Sequence, residues 1–119
     1  MLTSIYSRVR LVCGNHPSSD VYLVPHEGNM GQDMFYACPK YYAENRSVGE
    51  SQCMNRISLT DLDKIIMHIS DVIEQAEENG SSIRIEGMCW KTGRGIECRV
   101  LRETKDHIDV AVINRRVLR

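Results

Sequence analysis

No run of the chain approaches the roughly 18 consecutive apolar residues that a membrane-crossing helix requires, so a protein that spans a bilayer by helices is not expected. Aromatic residues are scarce, with one Trp and one Phe, and aliphatic side chains must therefore build most of the core. At 119 residues such a core is thin, and metal ligation is a common reinforcement at this size. The opening residues Met1 to Arg8 lack the apolar centre of a secretory leader, which makes the expected location intracellular. Signatures of catalysis are missing too. The chain has no glycine-rich phosphate loop, no paired histidines on one helix face and no nucleophile elbow. A nucleophile would need a base within hydrogen-bond reach and a group to orient it, and no such set is visible, so an enzyme is not expected.

Five cysteines are present, an odd number that leaves one unpaired under any full disulfide scheme. In a reducing compartment they read as metal ligands or buried thiols. Net charge is only −1, but it is unevenly placed. Residues 60–79 hold six acids against Lys64 alone, net −5, whereas residues 82–119 hold nine bases against five acids, net +4. The protein is internally polarised.

Arg8 to Cys13 alternates in polarity and predicts a strand. The turn-forming run Gly14 to Asp20 follows, and Val21 to Val24 then predicts a returning strand that closes a hairpin. Met34 to Cys38 reads as a third short strand, and Pro39 to Asn55 as a polar loop. The clearest element is a helix. Ser58 with Asp61 three residues on resembles a capping box, and Leu62, Ile65, Ile66, Ile69, Val72, Ile73 and Ala76 recur at helical spacing. Asn79-Gly80 supplies a left-handed stop. Three strand-like runs follow: Ile83 and Ile85 in phase with Cys89, then Ile96, Cys98 and Val100, then Ile108, Val110 and Val112. Turns fall at Lys91 to Gly95 and Thr104 to Asp106. The fold class expected is α+β: a zinc-bound N-terminal β-ribbon over residues 1–57, then one long amphipathic helix and a C-terminal three-stranded antiparallel meander over residues 58–119, packed as one compact domain.

Cys13 and His16 are two residues apart at a turn after a strand, a spacing that lets a thiolate and an imidazole meet one ion as the backbone curls back. Cys38 stands at a strand end before Pro39, and Cys53 is the next cysteine, completing a Cys3His set. Four protein ligands leave no open position for water, so the ion would be structural, and the mixed sulfur and nitrogen donors favour Zn2+. The gap from Cys38 to Cys53 is longer than in an ordinary knuckle, and His26 or Cys89 is an alternative fourth ligand. Cys89 and Cys98 share the parity of neighbouring isoleucines and read as small core residues. His68 and His107 read as solvated. Two regions can serve a partner: Tyr41, Tyr42 and Arg46 in the polar loop, since Tyr and Arg are favoured interface anchors, and the acidic helix face of Asp71, Glu74, Glu77 and Glu78, since carboxylates can occupy a basic groove that otherwise holds nucleic acid.

The run Phe35-Tyr36-Ala37-Cys38-Pro39-Lys40-Tyr41-Tyr42, then Cys53-Met54-Asn55-Arg56-Ile57-Ser58 leading into an amphipathic helix, with Cys13-Gly14-Asn15-His16 upstream, resembles small zinc-ribbon-like proteins of Firmicutes phages and conjugative elements. The resemblance spans nearly the whole chain. It implies a mobile-element protein acting in the cytoplasm of a bacterial host. Some small mobile-element proteins of this sort are anti-CRISPR inhibitors of type II systems, which bind the RNA-guided nuclease and block guide loading, DNA loading or cleavage. The function so implied is inhibition by direct protein contact. The alternative is a nucleic-acid-binding zinc ribbon that sets Arg94, Arg99, Arg102, Arg115, Arg116 and Arg119 on phosphates.

Overall fold

The computed structural model describes residues 5, 7–16, 18, 20–26, 34–41, 53–81 and 83–116. Among these lie the strands β1 (Val9–Cys13), β2 (Val24–His26), β3 (Phe35–Ala37) and β4 (Arg56–Ser58), the helix α1 (Leu59–Glu78), and the strands β5 (Cys89–Thr92), β6 (Ile96–Glu103) and β7 (Ile108–Asn114). The class is α+β, with a four-stranded mixed sheet in the order β1-β7-β6-β5 and a three-stranded antiparallel sheet in the order β2-β3-β4.

Helix α1 starts and stops where its sequence says. The Ser58 hydroxyl accepts from the Asp61 N–H at 3.1 Å, and the Asp61 carboxylate accepts from the Ser58 N–H at 3.1 Å, which satisfies two donors that a bare helix end would leave open. At the far end Gly80 adopts φ 71°, and the N–H groups of Gly80 and Ser81 donate to Glu77 O and Ala76 O. Between these caps Ile65, Ile66 and Ile69 are fully buried, flanked by half-buried Leu62, Val72 and Ile73. They meet one face of the larger sheet, where Ile96, Cys98 and Val100 of β6 lie beside Ile108, Val110 and Val112 of β7 and Leu11 and Cys13 of β1. The period of 3.6 on the helix and of 2 on the strands thus feed one core.

Strands β5, β6 and β7 form the expected antiparallel meander, with a register shift between Val100 and Arg102. The expected N-terminal hairpin is different in detail. Residues 21–23 do return along β1, through Cys13 N–H to Val21 O at 2.7 Å, Leu23 N–H to Leu11 O at 2.9 Å and a bridge between Val12 and Tyr22. The main partner of β1, however, is β7, in parallel, with Leu11 opposite Val110 and Cys13 opposite Val112. The strand β1 therefore belongs to the first segment of the sequence and to the sheet of the second. Residues 53–55 are not simply the end of a polar loop, since Asn55 is fully buried, and the unpredicted strand β4 follows at once, Arg56 to Ser58 pairing with β3. After the helix, Ile83 is 44% exposed and outside any strand, and β5 begins only at Cys89. Gly87 at φ 84° separates Ile85 from β5 and resets the alternation, so Cys89 sits opposite Arg99 and is exposed, while Trp90 sits opposite Cys98 and faces inward. The reading of Cys89 as a core residue is corrected on that ground. Cys98 is buried, and burial pushes its thiol up to about 12.

The parallel pairing of β1 and β7 is fastened from the opposite sheet face. Asp109 is 1% exposed and accepts from Arg10 Nε at 2.7 Å, Arg10 Nη2 at 3.0 Å, Arg102 Nε at 2.9 Å and the Tyr22 hydroxyl at 3.3 Å. Burial alone would raise its pKa, but the hydrogen bonds from Arg10 and Arg102 prevail and hold it below the usual carboxylate range. A carboxylate lowered in the folded state stabilises the fold fully above its unfolded value of about 4, and that contribution is lost as the pH falls through the lower folded value. Asp109→Asn is expected to cost about 1–2 kcal/mol at neutral pH, toward the lower end for charged hydrogen bonds because both guanidinium groups are part-exposed. Urea midpoints of the two proteins should converge as the pH is taken below about 4; midpoints that stay equally far apart down to acid pH would exclude this role.

Candidate metal centre

Cys13, the last residue of β1, brings the chain to the edge of the large sheet. The next amide, Gly14 N–H, donates to Val112 O at 3.0 Å, so the chain turns while still tied to β7. A β-carbon at Gly14 would stand 2.7 Å from the Ile113 side chain and 3.3 Å from Val112 O, so any larger residue there would force Ile113 to shift. Two residues later His16 points back toward the sheet. On the other side β3 ends at Ala37, and Cys38 opens a short 3-10 turn, Pro39–Tyr41. Cys38 N–H donates to Asn55 O at 3.0 Å and Cys53 N–H donates to Lys40 O at 3.1 Å. These two reciprocal bonds lay residues 53–55 alongside residues 38–40, so the long gap between the two cysteines in sequence does not separate them in space.

The result is one cluster. The Cys13 and Cys53 sulfurs are 3.7 Å apart, His16 Nε2 is 3.2 Å from the Cys38 sulfur, and all four ligand atoms lie within 4.8 Å of one another. A tetrahedral ion with metal–sulfur bonds of about 2.3 Å would set its sulfurs roughly 3.8 Å apart, so the donor set fits such an ion. Cys13, Cys38 and Cys53 are buried and all are free thiols, while His16 is half-buried. Burial, and then the proximity of Cys13 and Cys53, push the Cys38 thiol up to about 12. Burial also raises Cys13, against the hydrogen bond from Asn55. The raised thiols of Cys13 and Cys38 hold their protons unless a cation takes their place, and binding a cation must release them.

The four residues expected from the sequence are thus the four that the fold brings together, and the alternatives are not among them. His26 stacks on Phe35 with ring centres 5.5 Å apart, and Cys89 is exposed on β5. His68, read as solvated, is half-buried and stacks on Trp90 at 4.7 Å. The sequence reading missed Asn55. Its amide nitrogen donates to the Cys13 sulfur at 3.1 Å and to Val112 O at 2.7 Å, and its oxygen accepts from Asn114 N–H at 2.9 Å. A buried asparagine in a polar stretch leaves no periodic trace, so no pattern signal could have found it.

Asp71, Glu74, Glu77 and Glu78 are all exposed on α1, and none takes part in an ion pair among the described residues. Tyr41 closes the 3-10 turn; Tyr42 and Arg46 lie outside the described residues. Of the six arginines of the nucleic-acid reading, Arg102 is paired with Asp109, Arg115 with Glu97 and Arg116 with Asp61. Arg94 and Arg99 are exposed, and Arg119 lies outside the described residues.

The strands of the smaller sheet are three residues each, too short to hold together in water unaided. Purified, untagged protein is expected to carry about one equivalent of divalent metal by elemental analysis. Chelation should strip hydrogen-exchange protection from β3 and from residues 38–40 and 53–55 before it touches β6 and β7. A chelated, metal-free protein with unchanged exchange throughout would refute the centre. Searches against protein-family models, curated proteins and solved structures return no match to this chain.

Proposed function

We propose that the protein is a zinc-stabilised, non-catalytic binding protein, and that it inhibits a type II CRISPR RNA-guided nuclease by direct contact. Zinc is the ion proposed because three thiolates and one imidazole in a closed tetrahedral set suit it better than harder or larger cations. With every ligand supplied by the chain, the ion shapes the protein and performs no chemistry on a substrate.

The observation that carries the binding role is the acidic face of α1. Four carboxylates, Asp71, Glu74, Glu77 and Glu78, stand in solvent without a cationic partner among the described residues. Their backbone is fixed by a capped helix whose inner face is locked in the core. Such a rigid negative surface complements a basic channel of the kind that grips a guide–target duplex through its phosphates. The sequence resemblance to mobile-element proteins points to the same partner. The arginine surface supports the nucleic-acid alternative less well, since three of its six members are already held by carboxylates.

In a cleavage assay with purified type II nuclease, guide and target, addition of the protein before DNA is expected to suppress cleavage more than addition after it. Reversing the four charges to Lys should abolish suppression while the helical signal is kept and the thermal midpoint holds or rises, since lysines at 77 and 78 suit the C-terminal end of the helix dipole. Full suppression by the folded reversed variant removes this face from the mechanism, and full cleavage across several such nucleases removes the inhibitor reading. A salt-sensitive gel shift with duplex or single-stranded DNA would favour the nucleic-acid alternative instead.

A further inference from the structure

Each of the three clustered sulfurs lies within reach of an N–H donor outside the ligand set, and Cys13 is also approached by the Asn15 backbone N–H. Asn55 Nδ2 lies 3.1 Å from the Cys13 sulfur, the Lys40 backbone N–H donates to the Cys38 sulfur at 3.5 Å, and Asn15 Nδ2 lies 3.6 Å from the Cys53 sulfur. Three thiolates, a neutral imidazole and a divalent cation would carry a formal charge of −1. A buried net charge must be balanced by hydrogen bonds to the charged form. From the two side-chain amides aimed at these sulfurs we infer that Asn55 and Asn15 are positioning residues of the metal centre, which orient their amide dipoles at Cys13 and Cys53 and thereby set the electron-donating strength of those thiolates. The inference rests on the metal-centre reading and deepens it.

Asn55 is the stronger of the two. It is fully buried, and its remaining amide proton and its oxygen are both occupied by β7, on Val112 O at 2.7 Å and Asn114 N–H at 2.9 Å. The side chain therefore cannot swing away from the sulfur without breaking two further bonds. Asn114 completes the tie: its Nδ2 donates to Arg56 O at 2.7 Å and its Oδ1 accepts from Arg116 N–H at 3.1 Å. Its side chain makes no hydrogen bond to any of the three sulfurs, so it reports on the structural half of the same network. Asn15 is exposed and makes the longer contact, so its effect on the ion should be smaller and its effect on folding slight.

The test loads full-length protein with Co2+ and follows the thiolate-to-cobalt charge-transfer band, whose energy depends on how strongly the sulfurs donate. N55A is expected to move the band to longer wavelength and to weaken Co2+ and Zn2+ binding, measured by chelator competition, by about 10- to 100-fold. N15A should move the band in the same direction by less, with the thermal midpoint nearly unchanged. N114A should lower the midpoint and leave the band where it is. The inference is overturned if the N55A and N15A bands coincide with that of the parent protein, or if N114A shifts the band as far as N55A does. If N55A does not fold, N15A alone decides. A parent protein that takes up no cobalt overturns the metal-centre reading and this inference with it, an outcome distinct from uptake with an unmoved band.

Discussion

The approach of Cys13 and Cys53 to 3.7 Å ties the first strand of the large sheet to the segment that launches the helix, and most of the architecture depends on it. Cys13 sits in β1 at the sheet edge; Cys53 is followed by Asn55, β4 and then α1 with no intervening loop. Holding those two sulfurs together with Cys38 and His16 fixes where β4 lies, and β4 fixes where the helix begins. The smaller sheet has little else to support it. Its strands contribute few side chains to the core, chiefly Ile57 and Ala37, and its backbone pairing spans only three residues per strand. An ion held by the four clustered side chains would supply what hydrophobic burial on that scale cannot.

The second fastening, Asp109, works at the opposite end of β1. A parallel pair joined only across most of the chain length has to close a long loop before any of its hydrogen bonds form, which makes it costly to nucleate. A carboxylate near the start of β7 that gathers a guanidinium from β1 and another from β6 selects this register. A shift by one residue would carry Asp109 to the helix-facing side and break all four of its contacts. The metal cluster and the Asp109 node thus hold β1 at both ends, one on each face of the sheet.

What the sequence made legible follows from how locally each feature is encoded. Helix α1 was readable in full, from the Ser58 and Asp61 cap to Gly80, because every signal lies within a few residues of the next. The four clustered residues were readable because Cys13 and His16 are two residues apart at a turn and Cys38 stands at a strand end before Pro39. The meander was readable in β6 and β7, where period-2 alternation runs long, and misplaced in β5, where Gly87 interrupts it. The parallel partnership of β1 and β7 was not readable, since alternation shows that a strand exists and is silent about its partner. Asn55 escaped for a related reason: its importance comes wholly from three contacts with Cys13, Val112 and Asn114, each far away in sequence.

The placement of charge on α1 bears on what the helix is for. Acidic residues favour a helix N-terminus, and there Asp61 is engaged in the cap and in contact with Arg116. Glu77 and Glu78 stand in the last turn, which holds no basic residue, and each costs about 0.3–1 kcal/mol against the helix dipole. A helix shaped for stability alone would carry lysine or arginine at those positions. Side chains that oppose local stability without serving the core are the ones to attribute to contact with something else, and these two continue the exposed stripe begun by Asp71 and Glu74. The same helix therefore divides its labour along its length: its start is governed by the cap and the cysteine–histidine lobe, its inner face by the sheet, and its end by an exposed negative pattern on which the proposed contact with a positive partner rests.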